Sequence, residues 1–309
     1  MKIAIIGAGI SGLYLAWKLS ERNNEVIVFE KKKRIGKEVC SGLFSEKIFN
    51  FIPESKNLIQ NEIEYCLIHF PKRTLKIRFS KKLLLMDHSE LDNLVANLAK
   101  KAGAKIFLGQ GINFIPEGFE RIIGCDGALS QIRKILDLND PIFNLGIQGF
   151  VKKKDYSNFV ETWPTKLGFI WKIPRGREIE YGIIERKNKA KEVFEKFLKE
   201  NRINLEKEKS ALVPQGLVIP RNSKITLCGD STGITKPWSG GGVIWSLISA
   251  NILLKNFPDF LKYKKELEKF FKPKIIFSKF VKQMVYFLGF NLPFILPKEF
   301  KIEEDFLIK

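Results

Sequence analysis

The stretch MKIAIIGAGISGLYLAWKLSERNNEVIVFE, residues 1–30, decides the fold. It begins with an apolar run, Lys2–Ile6, which is typical of a buried parallel strand. This run leads directly into a G-x-G-x-x-G array formed by Gly7, Gly9 and Gly12. In such an array the first glycine allows a tight turn, the second lets the backbone approach a pyrophosphate, and the third lets the following helix pack close to the strand.

The rest of this stretch completes a βαβ unit. A helix predicted from Ser11 to about residue 22 points its first amides at the phosphates, and the apolar run 26–29 ends at Glu30. The Glu30 carboxylate can accept hydrogen bonds from a ribose diol. The basic run 31–34 could hold the 2′-phosphate of NADP, but Glu30 would repel that group. The sequence therefore predicts a dinucleotide site for FAD or NAD.

Length and composition limit the class of protein. A chain of 309 residues can form about two domains with buried cores. Its four cysteines are scattered without a C-x-x-C pair, and it has two histidines, so we expect neither a metal site nor a disulfide framework. The basic, apolar start resembles a secretory leader, but its glycine spacing favours a retained strand and helix, and we expect no cleaved signal.

The net charge of +19 has two interpretations. It predicts an anionic partner, or it reflects lysine spread over every solvated face. We expect no nucleic-acid partner, because no motif of that class is present. The apolar stretch 283–296 is too short to cross a bilayer and contains Asn291 and Pro293, so it is either a helix at a bilayer surface or a buried terminal helix.

Further along the chain, the pattern of apolar residues predicts other kinds of secondary structure. Two strand-like runs, 65–70 and 74–79, on either side of Pro71-Lys72-Arg73 predict a hairpin. Later apolar runs separated by turn residues predict an antiparallel sheet of three or four strands; they are 146–151, 159–163, 168–173 and 179–184. A separate strand is predicted at 83–86, and helices at 90–102 and 189–200. From residue 257 onward we expect a basic, aromatic helical segment.

A second glycine loop follows the predicted strand 224–227. Gly229 and Asp230 come directly after that strand, and Gly240, Gly241 and Gly242 precede an apolar helix. Two such loops can converge on one extended cofactor, with adenine at the first loop. The Asp230 carboxylate can then accept a hydrogen bond from a ribityl hydroxyl, while amides of the glycine run face a pyrimidine ring. This arrangement favours FAD over a nicotinamide cofactor.

Three motifs carry a resemblance to a known family. GAGISG with Glu30, GCDGALSQIR (124–133) and LCGDSTGITKPWSGGG (227–242) resemble those of the FAD-dependent geranylgeranyl reductases, within the p-hydroxybenzoate hydroxylase-like superfamily. The resemblance implies an α/β fold with a Rossmann-like FAD-binding domain (1–62, 83–140 and 221–255). It further implies an inserted antiparallel β-sheet substrate domain (63–82 and 141–220) and a C-terminal helical segment (256–309).

Two narrower motifs point to the reductases within that superfamily. KEVCSG (37–42) is similar to their cysteine and glycine loop beside the isoalloxazine, without its usual proline, and GFIWKIPRGREIEYG (168–182) to the aromatic-x-Trp motif of their isoprenoid channel. The implied cofactor-binding residues are Gly7, Gly9, Ser11, Gly12, Glu30, Cys40, Ser41, Gly42, His88, Asp126, Gly229, Asp230, Gly240, Gly241 and Gly242. The implied substrate-binding residues are Trp163, Phe169, Trp171 and Trp238.

Several of these residues also have a purely structural interpretation. Cys40 is the expected catalytic residue as a proton donor, or it is a small buried side chain. The aromatic residues line a channel, or they pack an ordinary sheet. Asp126 contacts the cofactor, or it caps the helix that follows it. His88 stands where many relatives carry arginine. The cations Lys172 and Arg175 meet a lipid phosphate near the channel mouth, or they are isolated surface charges without a specific role.

The resemblance implies reduction of carbon–carbon double bonds in geranylgeranyl chains of archaeal-type membrane phospholipids, by hydride transfer from reduced flavin. The electron donor would be an acidic ferredoxin or a transiently bound NAD(P)H. We expect a cytoplasmic protein, either free or peripheral on the inner face of the cell membrane. A flavin monooxygenase or halogenase is one alternative, since FIWKIP (169–174) differs from W-x-W-x-I-P only in its first aromatic. An electron-transfer flavoprotein is the other.

Overall fold

A computed structural model describes residues 1–36 and 39–303. The first two residues of the KEVCSG loop, Lys37 and Glu38, and residues 304–309 of the predicted C-terminal segment lie outside the described residues. The chain divides into two compact units. The first unit comprises Met1–Lys37, His88–Ile142 and Val213–Ile276, and the second comprises Glu38–Asp87, Phe143–Leu212 and Phe277–Lys309.

The described residues form both strands and helices. The strands are β1 (Lys2–Ile6), β2 (Glu25–Glu30), β3 (Leu43–Ser45), β4 (Asn61–Phe70), β5 (Arg73–Leu85), β6 (Lys105–Leu108), β7 (Arg121–Gly124), β8 (Ile142–Val151), β9 (Phe159–Pro164), β10 (Phe169–Pro174), β11 (Ile179–Arg186), β12 (Glu206–Gln215), β13 (Ile225–Leu227) and β14 (Glu299–Ile302). The α-helices are α1 (Ile10–Ser20), α2 (His88–Lys101), α3 (Gln131–Ile135), α4 (Ala190–Glu200), α5 (Val243–Asn256) and α6 (Phe260–Asn291).

The first unit is built on a parallel sheet with strand order β13-β7-β1-β2-β6. In the register of this sheet, Ile6 lies beside both Phe29 and Gly124, so the carboxyl ends of three strands meet where β1 enters the glycine loop. The apolar side chains of β1, β7 and β13 pack into one buried cluster. The βαβ unit predicted from the first thirty residues is confirmed, and with it the Rossmann-like part of the α/β fold.

Two apolar helices of the first unit, α1 and α5, pack against each other. Most of their residues are buried, although Asn251 and Lys255 of α5 are exposed. The Tyr14 hydroxyl donates a 2.8 Å hydrogen bond to Oδ1 of Asn251, which joins the helices by a polar contact within an otherwise apolar interface. Helices that are apolar all round have to be buried, so each glycine loop is followed by a helix fixed in the core.

The second unit is built on a mixed sheet. Its strand order is β12-β8-β11-β10-β9-β4-β5-β14, with β3 also paired to β5. Most pairs are antiparallel, as predicted, but β4–β9 and β5–β14 are parallel. The two strands of each parallel pair are not joined by a short turn, because the chain between them passes through the first unit. Their direction is therefore not set by hairpin geometry.

Two predicted elements differ in the structure. The strand predicted at 83–86 is the end of β5, which runs unbroken from the confirmed hairpin turn after Phe70. The C-terminal segment is not helical throughout, since β14 pairs in parallel with β5. α6 continues through Pro273 but ends at Asn291, and two prolines lacking amide donors, Pro293 and Pro297, follow within six residues before the chain becomes extended.

The compact units do not follow the predicted domain boundaries everywhere. Residues 39–62 were assigned to the FAD-binding domain, but β3 and the start of β4 pair with β5 and thus belong to the second unit. Which parts of each unit contact a cofactor stays a prediction. Within the described part of the chain, the helices lack the combination of length and apolar character that crossing a bilayer requires.

Candidate functional site

Gly7 and Gly12 are required by the close approach of backbone around the first loop. Gly7 has a φ of +105°, and a Cβ there would lie 2.3 Å from the carbonyl oxygen of Cys125 on the neighbouring strand. A Cβ on Gly12 would lie 2.0 Å from the carbonyl oxygen of Gly7. Contacts this short cannot be tolerated, so both positions accept only glycine. The tight turn and the close helix expected from the motif are both present.

Gly9 differs from these two glycines, because space and not close backbone contact surrounds it. A Cβ at this position would meet nothing within 4 Å, so the fold itself does not demand glycine here. Gly9 is the N-cap of α1, and it has no side chain to cover the amides of the first turn. A helix N-terminus with this open space beside it fits an anionic pyrophosphate. The loop therefore provides room for the group that the motif predicts.

Glu30 is fixed at the carboxyl end of β2 by two backbone amides. Its Oε2 accepts a 2.7 Å hydrogen bond from the Ala8 amide, and its Oε1 accepts a 2.8 Å bond from that of Lys32. Each carboxylate oxygen has a second lone pair, so Glu30 can still accept hydrogen bonds from a ribose diol. These amides orient the carboxylate beside the glycine loop.

The second glycine loop lies directly against the first. Gly229 has a φ of +74°, and a Cβ there would lie 2.2 Å from Oγ of Ser11 in the first turn of α1. Ser11 is buried at this contact. The convergence of the two loops, predicted because one extended cofactor would need both, is thus present within the first unit.

Asp230 lies at the start of α5. A Cβ on Gly242 would be 2.8 Å from Oδ1 of Asp230, which places this carboxylate oxygen beside the helix N-cap. The loop before α5 is closed by two backbone hydrogen bonds, from Gly240 to the Lys236 carbonyl at 2.8 Å and from Lys236 to the Gly241 carbonyl at 3.0 Å. Asp230 and the glycine run therefore form one compact feature at the helix start.

Asp126 caps helix α3. Its Oδ1 accepts from the Ser130 hydroxyl at 2.6 Å, and its Oδ2 accepts from the Gln131 amide at 2.6 Å. Of the two interpretations left open by the sequence, the structural one is thus observed. Contact between Asp126 and a cofactor stays a prediction.

Arg133 connects the segments around α3 to the second loop, a role that the sequence did not reveal. Its side chain is fully buried and donates from NH1 to the Ser231 carbonyl at 2.8 Å, from NH2 to the Ala128 carbonyl at 2.6 Å, and from Nε to Asp140 at 2.8 Å. Ser231 directly follows Asp230. Arg133 consequently positions the second loop. A cation among the apolar residues of α3 was the sequence feature that could have predicted this buried role.

The remaining predicted residues of the first unit are His88 and Trp238. His88 is buried in the first turn of α2, with Nε2 3.5 Å from Oδ1 of the buried Asp92. Trp238 is half-buried and lies edge-on to Trp245, with ring centroids 5.8 Å apart. Neither side chain takes part in the contacts described above between the two glycine loops. The predicted contacts of His88 and Trp238 with a ligand stay predictions.

In the second unit, Cys40, Ser41 and Gly42 form a fixed loop. Gly42 has a φ of +65°, and a Cβ there would lie 2.2 Å from the Met86 carbonyl oxygen. The Gly42 amide donates to Sγ of Cys40 at 3.4 Å, and Arg175 donates from NH2 to the Ser41 carbonyl at 2.7 Å. Cys40 is half-buried, and its catalytic role stays a prediction.

The Arg175 that holds this loop belongs to a buried ion pair. Glu180 is fully buried, accepts from Nε of Arg175 at 2.7 Å through Oε2, and accepts from Nε1 of Trp171 at 2.9 Å through Oε1. Burial raises the pKa of the Glu180 carboxyl, and the neighbouring guanidinium opposes that shift. The interpretation of Arg175 as an isolated surface cation was wrong, and the cause is its pairing with Glu180 across the β10–β11 turn.

Lys172 was also wrongly interpreted as an isolated cation. Its Nζ lies 2.7 Å from Oε1 of Glu161 and 3.4 Å from Oδ2 of Asp155. Glu161 also contacts Nε2 of His69 at 3.1 Å. The hydrogen bond with His69, together with the Lys172 ammonium, lowers the pKa of the Glu161 carboxyl to about 2. The residues form one charged network across β4, β9 and β10.

The predicted substrate-binding aromatics lie on two faces of the mixed sheet. Trp163 is paired with Ile170, so it shares the face that packs against α4, and its ring lies 5.0 Å from that of Phe197. Phe169 and Trp171 alternate with Ile170 and point to the other face. Their rings are 5.9 Å apart. The structure thus brings these two together and separates Trp163 from them.

Gly182 makes room for the Trp171 ring. The two residues are partners across β10 and β11, and a Cβ on Gly182 would lie 2.2 Å from Cζ2 of Trp171. The indole therefore lies over the backbone of the neighbouring strand. The geometry thus gives the downstream glycine of the predicted aromatic-x-Trp motif a packing role.

Comparison with known proteins agrees with this architecture. Residues 5–44 match the family model of the NAD(P)-binding Rossmann-like domain. The chain is similar to a geranylgeranyl bacteriochlorophyll reductase-like protein from Thermoplasma acidophilum, with a TM-score of 0.79, 18% identity, and coverage of 91% of this chain and 86% of that one. The fold is that of the FAD-dependent reductases and halogenases. The predicted fold class is thereby confirmed.

Two further similarities point in the same direction. A digeranylgeranylglycerophospholipid reductase from Methanocella arvoryzae is 23% identical over 81% of this chain and 75% of its own length. A myxobacterial chondrochloren halogenase, described as a variant of FAD-dependent halogenases, has a TM-score of 0.74 at 12% identity and covers 93% of this chain and 82% of its own. The predicted resemblance to the geranylgeranyl reductases is confirmed, and the predicted FAD cofactor agrees with these neighbours.

Proposed function

We propose that the chain is an FAD-dependent oxidoreductase that reduces carbon–carbon double bonds of geranylgeranyl chains. The main support for FAD as the cofactor is the contact between Ser11 and Gly229, because it joins two glycine loops into one extended cradle within the first unit. A nicotinamide site of this class uses one such loop. FAD, with its adenine and flavin halves, uses both.

The residues of the first unit divide the binding of FAD between them. Gly9 and the first turn of α1 hold the pyrophosphate, and Glu30 accepts hydrogen bonds from the adenosine ribose. Asp230 and the run from Gly240 to Gly242 hold the flavin half. Arg133 keeps the second loop in place through the Ser231 carbonyl. The backbone hydrogen bonds to Glu30 and within the second loop fix the geometry of this cradle.

Saturation of an alkene requires a hydride on one carbon and a proton on the other. Reduced flavin supplies the hydride. We assign the proton to Cys40, and the alignment of the prenyl chain to Phe169 and Trp171, which share one face of the mixed sheet. The Glu180–Arg175 pair orients Trp171 and holds the Ser41 carbonyl, so it positions the residues to which we assign this chemistry.

The substrate class is supported by the relatives. Both the reductase from Methanocella arvoryzae and the reductase-like protein from Thermoplasma acidophilum carry prenyl reduction in their names, and their similarity extends over most of the chain. Phospholipids with geranylgeranyl chains are the proposed substrate. An acidic ferredoxin or NAD(P)H is the proposed electron donor, the former because the chain carries a net charge of +19.

The test is anaerobic reoxidation of the reduced protein. Purified protein is reduced under nitrogen and mixed with a geranylgeranylated glycerophospholipid, and the flavin absorbance and the lipid mass are followed together. We expect the flavin to reoxidise and the lipid to gain two hydrogens per double bond. The fully saturated lipid is the matched control and should leave the flavin reduced. Equal reoxidation with both lipids, without a mass gain, would overturn the proposal.

A flavin-dependent halogenase is the second candidate, favoured by Trp171, Ile173 and Pro174 of FIWKIP on β10, which match W-x-W-x-I-P at every position but the first aromatic, Phe169. The same reduced protein, given oxygen, halide and an electron-rich aromatic compound, would then yield a halogenated product and would not be reoxidised by the prenyl lipid. An electron-transfer flavoprotein would pass its electrons to a quinone or a protein and never to an alkene. The three functions therefore give three different products from one preparation.

A further inference from the structure

The second half of α6 and the turn after it present an apolar face to solvent. Phe280 is 61% exposed, Phe287 is 60% exposed, and Phe294 in the turn Pro293–Ile295 is 71% exposed. We call this surface the α6 apolar face; its members are Phe277, Phe280, Met284, Phe287, Phe294 and Ile295. Within α6 they recur every three or four residues, which places them along one side of the helix.

The opposite side of the same helix is firmly anchored. The Tyr286 hydroxyl donates to the Gly168 carbonyl at 2.8 Å, and Gly289 packs directly on the ring of Phe70. Val285 and Leu288 pack onto the cluster around Phe70 and Leu75. Rotating α6 to bury its phenylalanines would break these contacts, so the exposed face is a built feature of the second unit. Contiguous exposed apolar surface of this kind marks a contact site.

The chain segment that carries this face is positively charged between two paired carboxylates, Glu268 beside Lys272 and Glu299 beside Arg78. Residues 269–298 contain no aspartate or glutamate, and their lysines are Lys269, Lys272, Lys274, Lys279, Lys282 and Lys298. Lys279 and Lys298 are exposed, whereas Lys282 turns inward to the Leu167 carbonyl at 2.7 Å. The β4–β5 hairpin brings two more cations, since NH1 of Arg73, next to Lys72, lies 3.5 Å from the Phe294 carbonyl. An apolar strip with a basic rim results.

We propose that the α6 apolar face docks on the surface of an anionic lipid bilayer. The phenyl rings would enter the boundary between headgroups and acyl chains, and the lysines of the rim would contact lipid phosphates. A second copy of the chain fits less well, because pairing two such faces would bring their basic rims together. An acidic protein would match the lysines but not the row of phenylalanines. Docking requires no flavin, so it stands apart from the proposed function.

Vesicle sedimentation tests this docking. The whole protein is mixed with vesicles of phosphatidylglycerol or of phosphatidylcholine, and the bound fraction is measured at low and high salt. We expect binding to the anionic vesicles, weakened by salt. The double variant F280Q/F287Q should bind at least about tenfold less, because it removes two rings from the interface. The matched control F114Q/Y156Q replaces side chains that are 73% and 70% exposed elsewhere, and it should bind like the wild type.

A second pair of variants tests the rim. K279Q/K298Q should weaken binding to phosphatidylglycerol about tenfold, whereas K191Q/K196Q on α4, which removes the same charge, should weaken it less than about threefold. No binding of the wild type to anionic vesicles would overturn the proposal, and so would equal binding by F280Q/F287Q. A dimer detected by light scattering that F280Q/F287Q dissociates would show instead that a second copy covers this face.

The flavin spectrum and the reduction of detergent-dispersed prenyl lipid separate this proposal from the proposed function. F280Q/F287Q should retain both, since its changes lie on an exposed surface. Loss of vesicle binding with retained reduction supports docking. If the protein reduces no alkene at all but still binds the vesicles, the proposed function fails and the docking proposal stands.

Discussion

The two units of the chain are specified by their sequence in different ways. In the first unit, short motifs determine the backbone, because Gly7, Gly12 and Gly229 each lie where a Cβ would meet a neighbouring atom within 2.3 Å. The second unit has equally close approaches at Gly42 and Gly182, but its sheet depends on strands that are far apart in the chain and on a buried ion pair between Arg175 and Glu180. A sequence motif predicts the glycine loops directly. The pairing of distant strands and the buried ion pair can be recognised only once the strand partners are known.

The largest effect is expected for Gly12→Ala in the first unit. Its Cβ would lie 2.0 Å from the Gly7 carbonyl, and this contact is with backbone, which cannot move without shifting the loop. We expect a loss of more than about 3 kcal/mol of stability and loss of bound flavin. Urea unfolding and the flavin spectrum measure the two effects. A loss below about 1 kcal/mol would contradict the role assigned to this close approach.

Glu180→Gln is the corresponding change in the second unit. It leaves the Arg175 guanidinium without its charged partner, and we expect a loss of about 3 kcal/mol in urea unfolding. The matched control is Glu192→Gln on α4, which breaks an exposed pair with Lys189 and should cost less than about 0.5 kcal/mol. Equal losses for the two variants would mean that the buried pair does not hold the second unit together.

The charged network around Glu161 predicts a pH dependence. Its carboxyl has a pKa of about 2 in the folded protein, against an ordinary value of 4.5, so its charge stabilises the fold above pH 4.5. We expect Glu161→Gln to cost about 1–2 kcal/mol at pH 7, and this difference to shrink as the pH falls from about 5 toward 2. Urea unfolding across that range measures it. A difference that grows on acidification would contradict the assignment.

The two faces of the mixed sheet allow a test of substrate contact. Phe169→Ala should lower kcat/KM for the prenyl lipid by about fivefold, roughly 1 kcal/mol, with an unchanged flavin spectrum. Trp163→Phe, on the face covered by α4, should change kcat/KM by less than about twofold. Steady-state kinetics with detergent-dispersed lipid gives both values. If Trp163→Phe had the larger effect, the assignment of faces to substrate and core would be reversed.

The smallest effect on stability is expected for Gly9→Ala. Because its Cβ meets nothing within 4 Å, urea unfolding should change by less than about 0.5 kcal/mol. Flavin binding should nevertheless weaken, since the added methyl group lies where the pyrophosphate approaches. Titration of the cofactor-free protein with FAD measures this. Unchanged affinity for FAD would contradict the placement of the pyrophosphate at this loop.

The same contrast explains which features the sequence predicted. β1, α1 and β2 follow from hydrophobic period and glycine spacing over thirty residues, and those signals are local. Most strands of the mixed sheet were recognised, but β3, β12 and β14 were not. The parallel pairs β4–β9 and β5–β14 were also missed, because nothing local fixes the direction of strands joined through another unit. The prolines 293 and 297 after α6 were visible, but not the strand that follows them.

Site residues were predictable to the same extent. Gly7, Gly9, Gly12 and the second loop carry their motif in the sequence, and the fold brings them together. The Arg175–Glu180 pair was missed, because it forms across a turn whose length decides which side chains face each other. Trp163 was grouped with Trp171 for the same reason. Alternation assigns faces within one strand, whereas the register between strands is set by the turn.

The most direct test of the central claim is the identity of the cofactor released from the purified chain. The protein is denatured, and the released small molecules are separated and quantified against the protein. If the two glycine loops form one cradle, the wild type should release FAD at about one molecule per chain, and Gly9→Ala should release much less. Release of NAD or FMN in place of FAD, or equal release by Gly9→Ala, would contradict the account.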